Sequence, residues 1–172
     1  MSFAISTDTS ANLPTAELQW HQLYLLPISY IVDDVEHQCL DLTAFDGDAY
    51  YEMLRHTPAS TSMISMDQYR RLWEPLLQEG QDVLHVGMSS GISGAYQSAV
   101  MAARELREAY PDRRLVVFDT RAASLGEGIQ VLHAATCREA GYTLDETVRE
   151  LTELRPRIRQ IFTVDDLMHL CR

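Results

Sequence analysis

The sequence has 172 residues, 46% of them hydrophobic, which is enough for one sizeable core and too little for two complete domains. Its formal net charge of -11 excludes the basic patches that nucleic-acid backbones and anionic membranes attract, so partners are expected among proteins and small molecules, with no nucleic acid. No basic N-terminal segment leads into an apolar core and no apolar run reaches bilayer length, so the chain reads as neither secreted nor membrane-spanning.

Cys39, Cys137 and Cys171 are odd in number, far apart and without C-x-x-C spacing, and they read as reduced thiols of a cytoplasmic protein. The six histidines show no H-E-x-x-H pairing, and His85 inside a strand reads as a packed residue, so neither a metal nor a cofactor is expected.

Along the chain, Phe3 to Thr7 reads as a first strand that runs into Asp8-Thr9-Ser10-Ala11-Asn12-Leu13-Pro14, a cluster of turn and capping residues. Asp8 and Ser10 at that strand end either line a ligand crevice or close an Asx turn. Leu23 to Val32 is apolar enough for one buried strand, which Pro27 confines to an edge or irregular position, and Asp33-Asp34 turns the chain. Asp46 to Arg55 reads as a helix with Tyr50, Met53 and Leu54 on one side. Pro58 to Ser65 reads as a hydroxyl-rich loop, and Ser65 with Gln68 has capping-box spacing for a helix that turns Leu72, Leu76 and Leu77 inward. Pro75 is expected to bend or shorten that helix.

Val83 to Gly87 is a short apolar run leading through Met88-Ser89-Ser90-Gly91-Ile92-Ser93-Gly94 into a helix with Ala99, Val100, Ala103 and Leu106 at helical spacing. Such a loop sets unpaired N–H groups of a helix start beside the hydroxyls of Ser89, Ser90 and Ser93, an arrangement suited to a carboxylate or an isolated phosphate. A capped helix start with glycines in a tight turn explains the same residues. The loop has neither the lysine of a phosphate-binding P-loop nor the G-x-G-x-x-G of a dinucleotide site.

Leu115 to Asp119 reads as a further strand, Thr120 to Gly126 opens a helix ended near Gly141, and Thr143 with Glu146 caps another that buries Leu144, Val148, Leu151 and Leu154. Pro156 closes it. Arg159 to Val164 is expected to be a fourth core strand, with Asp165-Asp166 capping a last segment. Alternating strands and helices with short connections imply a single three-layer α/β domain over 1–172, with a mostly parallel sheet flanked by helices.

Several of these stretches, in order, resemble the N-terminal half of the DegV-family fatty-acid-binding proteins. They are Ser6-Thr7-Asp8-Thr9-Ser10, Thr61-Ser62-Met63-Ile64-Ser65 against the family's T-S-Q-P-S, Ser89 to Ala99 against S-S-G-L-S-G-T-Y-Q-S-A, Asp119 to Gly126, and Thr163-Val164-Asp165-Asp166-Leu167. The resemblance implies a protein that holds one long-chain fatty acid by its carboxylate, in some bacteria presenting it to a fatty-acid kinase. It implies Thr61, Ser62 and Ser93 as carboxylate donors, with the Gly94 N–H beside them. Met63-Ile64 in place of Gln-Pro and Ala95 in place of threonine depart from the pattern. The resemblance also implies a C-terminal domain beyond the Thr-Val-Asp-Asp-Leu motif, most of which these 172 residues lack.

Two other readings stand beside the lipid carrier. One is a serine hydrolase with Ser93 as nucleophile and Asp119 or Asp165 with His133 or His169 completing a triad, from the likeness of Gly91-Ile92-Ser93-Gly94-Ala95 to a nucleophile elbow. The other is an interaction domain without lipid.

Overall fold

The computed structural model describes residues 3–38 and 45–163. Strand β1 (Ala4–Asp8) lies at the centre of the molecule, fully buried, and is followed by a short 3-10 turn (Thr9–Ala11) and helix α1 (Thr15–Trp20). The chain continues through β2 (Leu23–Leu26), β3 (Ser29–Val32), β4 (Val35–Gln38), α2 (Gly47–Leu54), β5 (Ala59–Ser62) and α3 (Met66–Gln78). It ends in β6 (Val83–Gly87), α4 (Ala95–Ala109), β7 (Leu115–Asp119), α5 (Leu125–Glu139), α6 (Leu144–Leu154) and a 3-10 turn at Arg155–Arg157.

The main sheet has the order β2-β1-β6-β7, with every pair parallel. Parallel neighbours need a crossover, which α1 supplies between β1 and β2 and α4 between β6 and β7. Helices cover both faces, as a parallel sheet requires. On one face α3 and α4 pack Tyr69, Trp73, Leu76, Ala99, Ala103 and Leu106 against Ala4, Val83 and Leu115. On the other, Leu18 of α1, Val131 and Ala134 of α5, and Leu144 and Leu151 of α6 meet Phe3, Ile5, Leu84, Val86 and Phe118. The expected three-layer architecture is therefore present.

The stretch from Leu23 to Val32 forms two strands in two sheets instead of one. Pro27 offers no N–H to a ladder, so β2 stops at Leu26 on the edge of the main sheet and β3 starts afresh in a small antiparallel sheet of order β4-β3-β5. Asp33 and Asp34, both at positive φ, make the two-residue hairpin between β3 and β4. The hydroxyl-rich stretch from Pro58 contains strand β5 where a loop was expected, because Ser29 to Val32 offers a ladder to residues whose own side chains give no strand pattern. Arg159 to Val164 forms no strand over its described part, 159–163, and Ile161 is 98% exposed there. Among the described residues its backbone has no ladder partner; instead the Gln160 carboxamide bonds both Ala123 N–H and Ala123 C=O. Asp165 and Asp166 lie outside the described residues, as do Cys39 and Cys171.

Capping boxes start α3 at Ser65–Gln68 and α6 at Thr143–Glu146, and Gly141 follows α5 at φ +87. Helix α3 runs on through Pro75 to Gln78 without being shortened.

Helix α5 sits tight against the turn after β1. A Cβ added at Gly128 would come within 2.6 Å of the Ala11 carbonyl oxygen and 3.1 Å of Leu13 Cδ2. Gly128→Ala is expected to lower stability by about 1–3 kcal/mol through this backbone clash, visible as a reduced thermal midpoint.

Candidate functional site

The carboxyl ends of β1, β6 and β7 carry the polar residues, as expected for an open α/β sheet. Met88 to Gly94 leaves β6 as a compact loop that folds back on Ser89: Ile92 N–H and Ser93 N–H donate to the Ser89 carbonyl at 3.0 and 3.1 Å. The loop is also tied to its neighbours. Ser90 donates both its N–H and its hydroxyl to the Asp119 carboxylate, at 3.1 and 2.6 Å, and Ser89 N–H reaches the Ala122 carbonyl. Burial, the largest single effect, pushes the Asp119 carboxyl up, but the Ser90 hydroxyl, the Arg121 and Ser90 N–H groups and the Arg155 charge together hold it below the usual carboxylate range.

Ser90 is therefore a strap, not one of the free donors expected of this loop. Ser89 is buried, and its hydroxyl accepts from Gly91 N–H at 3.2 Å. Ser93 is only half-buried; its hydroxyl oxygen likewise accepts a backbone N–H, from Ala95 at 3.1 Å, and keeps its own proton to give nearer the surface. Among the described residues the N–H groups of Gly94, Tyr96 and Gln97 at the start of α4 have no protein acceptor.

The end of β5 is brought onto this same helix start. Met63 lies over Gly94, where a Cβ would stand 2.9 Å from Met63 Sδ, and Met63 Sδ is 4.0 Å from Ser98 Oγ. Thr61 and Ser62 immediately precede Met63. Thr61 is exposed and Ser62 half-buried, and neither hydroxyl has a protein partner among the described residues. The four residues Thr61, Ser62, Ser93 and Gly94 thus sit on two adjoining segments, with the exposed side chains of Met63 and Ile92 beside them. Packing room for Met63 is supplied by Gly94, a pairing that the sequence shows only as two unrelated residues.

Asp8 and Ser10 do not line this site. Asp8 is 1% exposed, closes an Asx turn with Ser10 N–H at 2.9 Å, and accepts the Met88 N–H at 3.2 Å. Next to it the fully buried Glu127 takes the Thr7 hydroxyl at 3.3 Å and lies 2.6 Å from Ser10 Oγ. Burial, and then the nearby Asp8, push the Glu127 carboxyl up to about 9. The sequence reading missed Glu127; its signal was the pair of flanking glycines, Gly126 and Gly128, both of which bring backbone close to another segment.

The alternative triad does not assemble from its described members. Asp119 is taken by Ser90 and the Arg121 N–H, and His133 faces Glu150 and Cys137. Asp165 and His169 lie outside the described residues. No group of three or more metal-ligating side chains occurs among the described residues, and no described helix is long and apolar enough to cross a membrane.

Comparison with known proteins bears on the family and the fold. Residues 2–172 match the family profile described as "Uncharacterised protein, DegV family". The chain is 32% identical over 173 residues to the DegV domain-containing protein YteA of Lactococcus lactis, covering 100% of this chain and 60% of that protein. Among solved structures, DegV of Bacillus subtilis, described as a fatty acid binding protein, superposes with a TM-score of 0.86 at 27% identity over 99% of this chain and 60% of that one. A DegV family protein from Thermus thermophilus, described by its fatty acid binding, gives 0.80 at 28% identity over 91% and 54%. This chain spans about 60% of the length of these relatives. With a match that runs from residue 2 to residue 172, the chain belongs to the DegV family.

Proposed function

We propose that this protein binds a long-chain fatty acid and holds its carboxylate with the hydroxyls of Thr61, Ser62 and Ser93 and the N–H of Gly94. The observation that supports the reading is the contact of Met63, the residue after β5, with Gly94 and Ser98, which brings the segment of Thr61 and Ser62 to a helix start whose first N–H groups have no protein partner among the described residues. A carboxylate leaving water needs several charge-assisted donors, and the partial positive charge at the start of the fifteen-residue α4 favours an anion there. Relatives described as fatty acid binding proteins support the choice of anion.

The reading makes the chain a binding protein and not an enzyme, acting in the cytoplasm. Thr61 stands exposed at the rim, so a bound carboxylate would stay within reach of a fatty-acid kinase, which we propose as its partner. Met63 and Ile92 give the first methylenes an apolar surface, but each further CH₂ left in water forfeits about 0.8 kcal/mol. Full enclosure is therefore assigned to a C-terminal domain from the length that the relatives have in addition, leaving residues 1–172 as a single α/β domain.

Ser93→Ala and Thr61→Ala are each expected to weaken fatty-acid binding roughly ten- to a hundredfold without unfolding the protein, since one charge-assisted hydrogen bond is worth about 1.5–3 kcal/mol. Ser124→Ala, whose hydroxyl takes the Asn12 amide instead, should change binding less. Isothermal calorimetry with palmitate and a melt of each variant measure both effects. Unchanged affinity in both Ser93→Ala and Thr61→Ala would overturn the assignment.

A further inference from the structure

The Ser10 hydroxyl lies 2.5 Å from Asp8 Oδ1 and 2.6 Å from Glu127 Oε2. It has one proton, so it can donate to only one of the two, and the other carboxyl must donate to it. Both Asp8 oxygens accept a backbone N–H, Oδ1 from Ser10 and Oδ2 from Met88, which makes Asp8 the acceptor of the pair. Among the described residues Glu127 has no N–H partner and meets only the hydroxyls of Thr7 and Ser10, and it is 0% exposed. The consistent direction of donation therefore runs from Thr7 to Glu127, from Glu127 to Ser10, and from Ser10 to Asp8.

We propose that Glu127 is a positioning residue that remains protonated in the folded protein and, through Ser10, holds the Asp8 carboxylate on the Met88 N–H at the root of the Ser89–Gly94 loop. The proton thereby links the start of α5 to the segment that carries Ser93, and its link to ligand binding rests on the carboxylate reading above. Its loss would leave two carboxylates on one hydroxyl in a dry site, with repulsion that Asp8 can relieve by leaving Met88.

The groups facing the pair supply no compensating charge. Tyr69 on α3 faces both carboxyls, and burial, ahead of Asp8 and Glu127, raises its phenol well above the usual range. His85 on β6 faces Asp8, and burial lowers it to about 4 against the smaller upward pull of Asp8 and Ser6. Both stay neutral where Glu127 titrates, about pH 9.

The test compares the parent chain with Glu127→Gln, which keeps a donor for Ser10 but cannot ionise, and with Glu127→Ala, which keeps none. The parent is expected to show a carboxylic acid C=O infrared band at pH 7 that both variants lack. Its Met88 amide proton, followed by NMR, should shift between pH 8 and 10, whereas Glu127→Gln holds the parent's neutral-pH position throughout and Glu127→Ala is displaced from it at pH 7. Palmitate affinity should fall about tenfold over the same pH range in the parent and stay level in Glu127→Gln, the change expected for one unit of proton linkage. Absence of the infrared band, or a Met88 shift that persists unchanged in Glu127→Gln, would overturn the proposal. A parent that binds no palmitate at any pH would instead overturn the carboxylate reading, while the infrared band and the Met88 amide still decide the protonation and its effect on the loop.

Discussion

Trp73→Ala is expected to destabilise the protein by about 3–5 kcal/mol, the range for emptying a fully buried indole site. Trp73 is 0% exposed in the layer between α3 and the sheet, where it packs against Tyr69 at 4.8 Å and His85 at 5.3 Å between ring centroids. Its Nε1–H donates to Ser6 Oγ at 2.9 Å, and Ser6 Oγ lies 3.1 Å from His85 Nδ1. A hydroxyl that accepts from the indole has its own proton free for the imidazole, so one buried serine links the two rings. Trp73→Phe separates the two contributions. It preserves much of the ring packing and removes only the donor to Ser6, and should cost about 1–3 kcal/mol. Urea unfolding of both variants measures the difference, and an unchanged stability in Trp73→Phe would show that the hydrogen bond carries no share of it.

The second large effect is a dependence of stability on pH with opposite signs at its two ends. Glu127 is raised to about 9 in the folded chain, so the folded state holds its proton where the unfolded chain, near 4.5, has lost it. The stability linked to this proton is full below pH 4.5 and is lost as pH rises towards 9, at about 1.4 kcal/mol per pH unit. His85 acts the other way. Burial lowers it from 6.5 to about 4, so its contribution is present above 6.5 and is lost as pH falls towards 4. The two slopes oppose each other between about 4.5 and 6.5, and above 6.5 the Glu127 slope stands alone. Chemical denaturation from pH 6.5 to 9 should therefore show stability falling by a few kcal/mol in the parent and a much flatter line in Glu127→Gln. A parent with a flat profile over that range would contradict the buried protonated state.

What could be read from the sequence was governed by where its information is local. Capping boxes at Ser65–Gln68 and Thr143–Glu146, and the apolar run from Val83, act within a few residues, and the elements they mark are present. Strand β5 was not legible because Ala59-Ser60-Thr61-Ser62 has no alternation of apolar and polar residues; its extended form comes from pairing with Ser29 to Val32, far away in sequence. Ile161-Phe162 shows the reverse case. Its composition favours a strand, but no described strand lies beside it to complete a ladder, and both side chains face solvent.

The candidate site divides in the same way. The hydroxyls of Thr61, Ser62 and Ser93 were visible as motifs, whereas the contact of Met63 with Gly94 that joins their two segments is a tertiary fact. In sequence Ser90 was indistinguishable from the free donors, and Asp8 could equally line the site or close an Asx turn, because their engagement depends on Asp119 and on Met88.

The order β2-β1-β6-β7 also has a kinetic meaning. Strands β1 and β2, like β6 and β7, are joined through one crossover, but the central β1–β6 seam brings together residues 79 positions apart, such as Ser6 and His85. The chain must close this long loop before the seam contributes anything, so seam formation is the entropically expensive step of folding. That cost grows only with the logarithm of loop length: doubling the intervening stretch would add about 0.6 kcal/mol. The small antiparallel sheet within this loop is thus a region where the chain tolerates insertions at little thermodynamic expense, provided that β5 still reaches the start of α4.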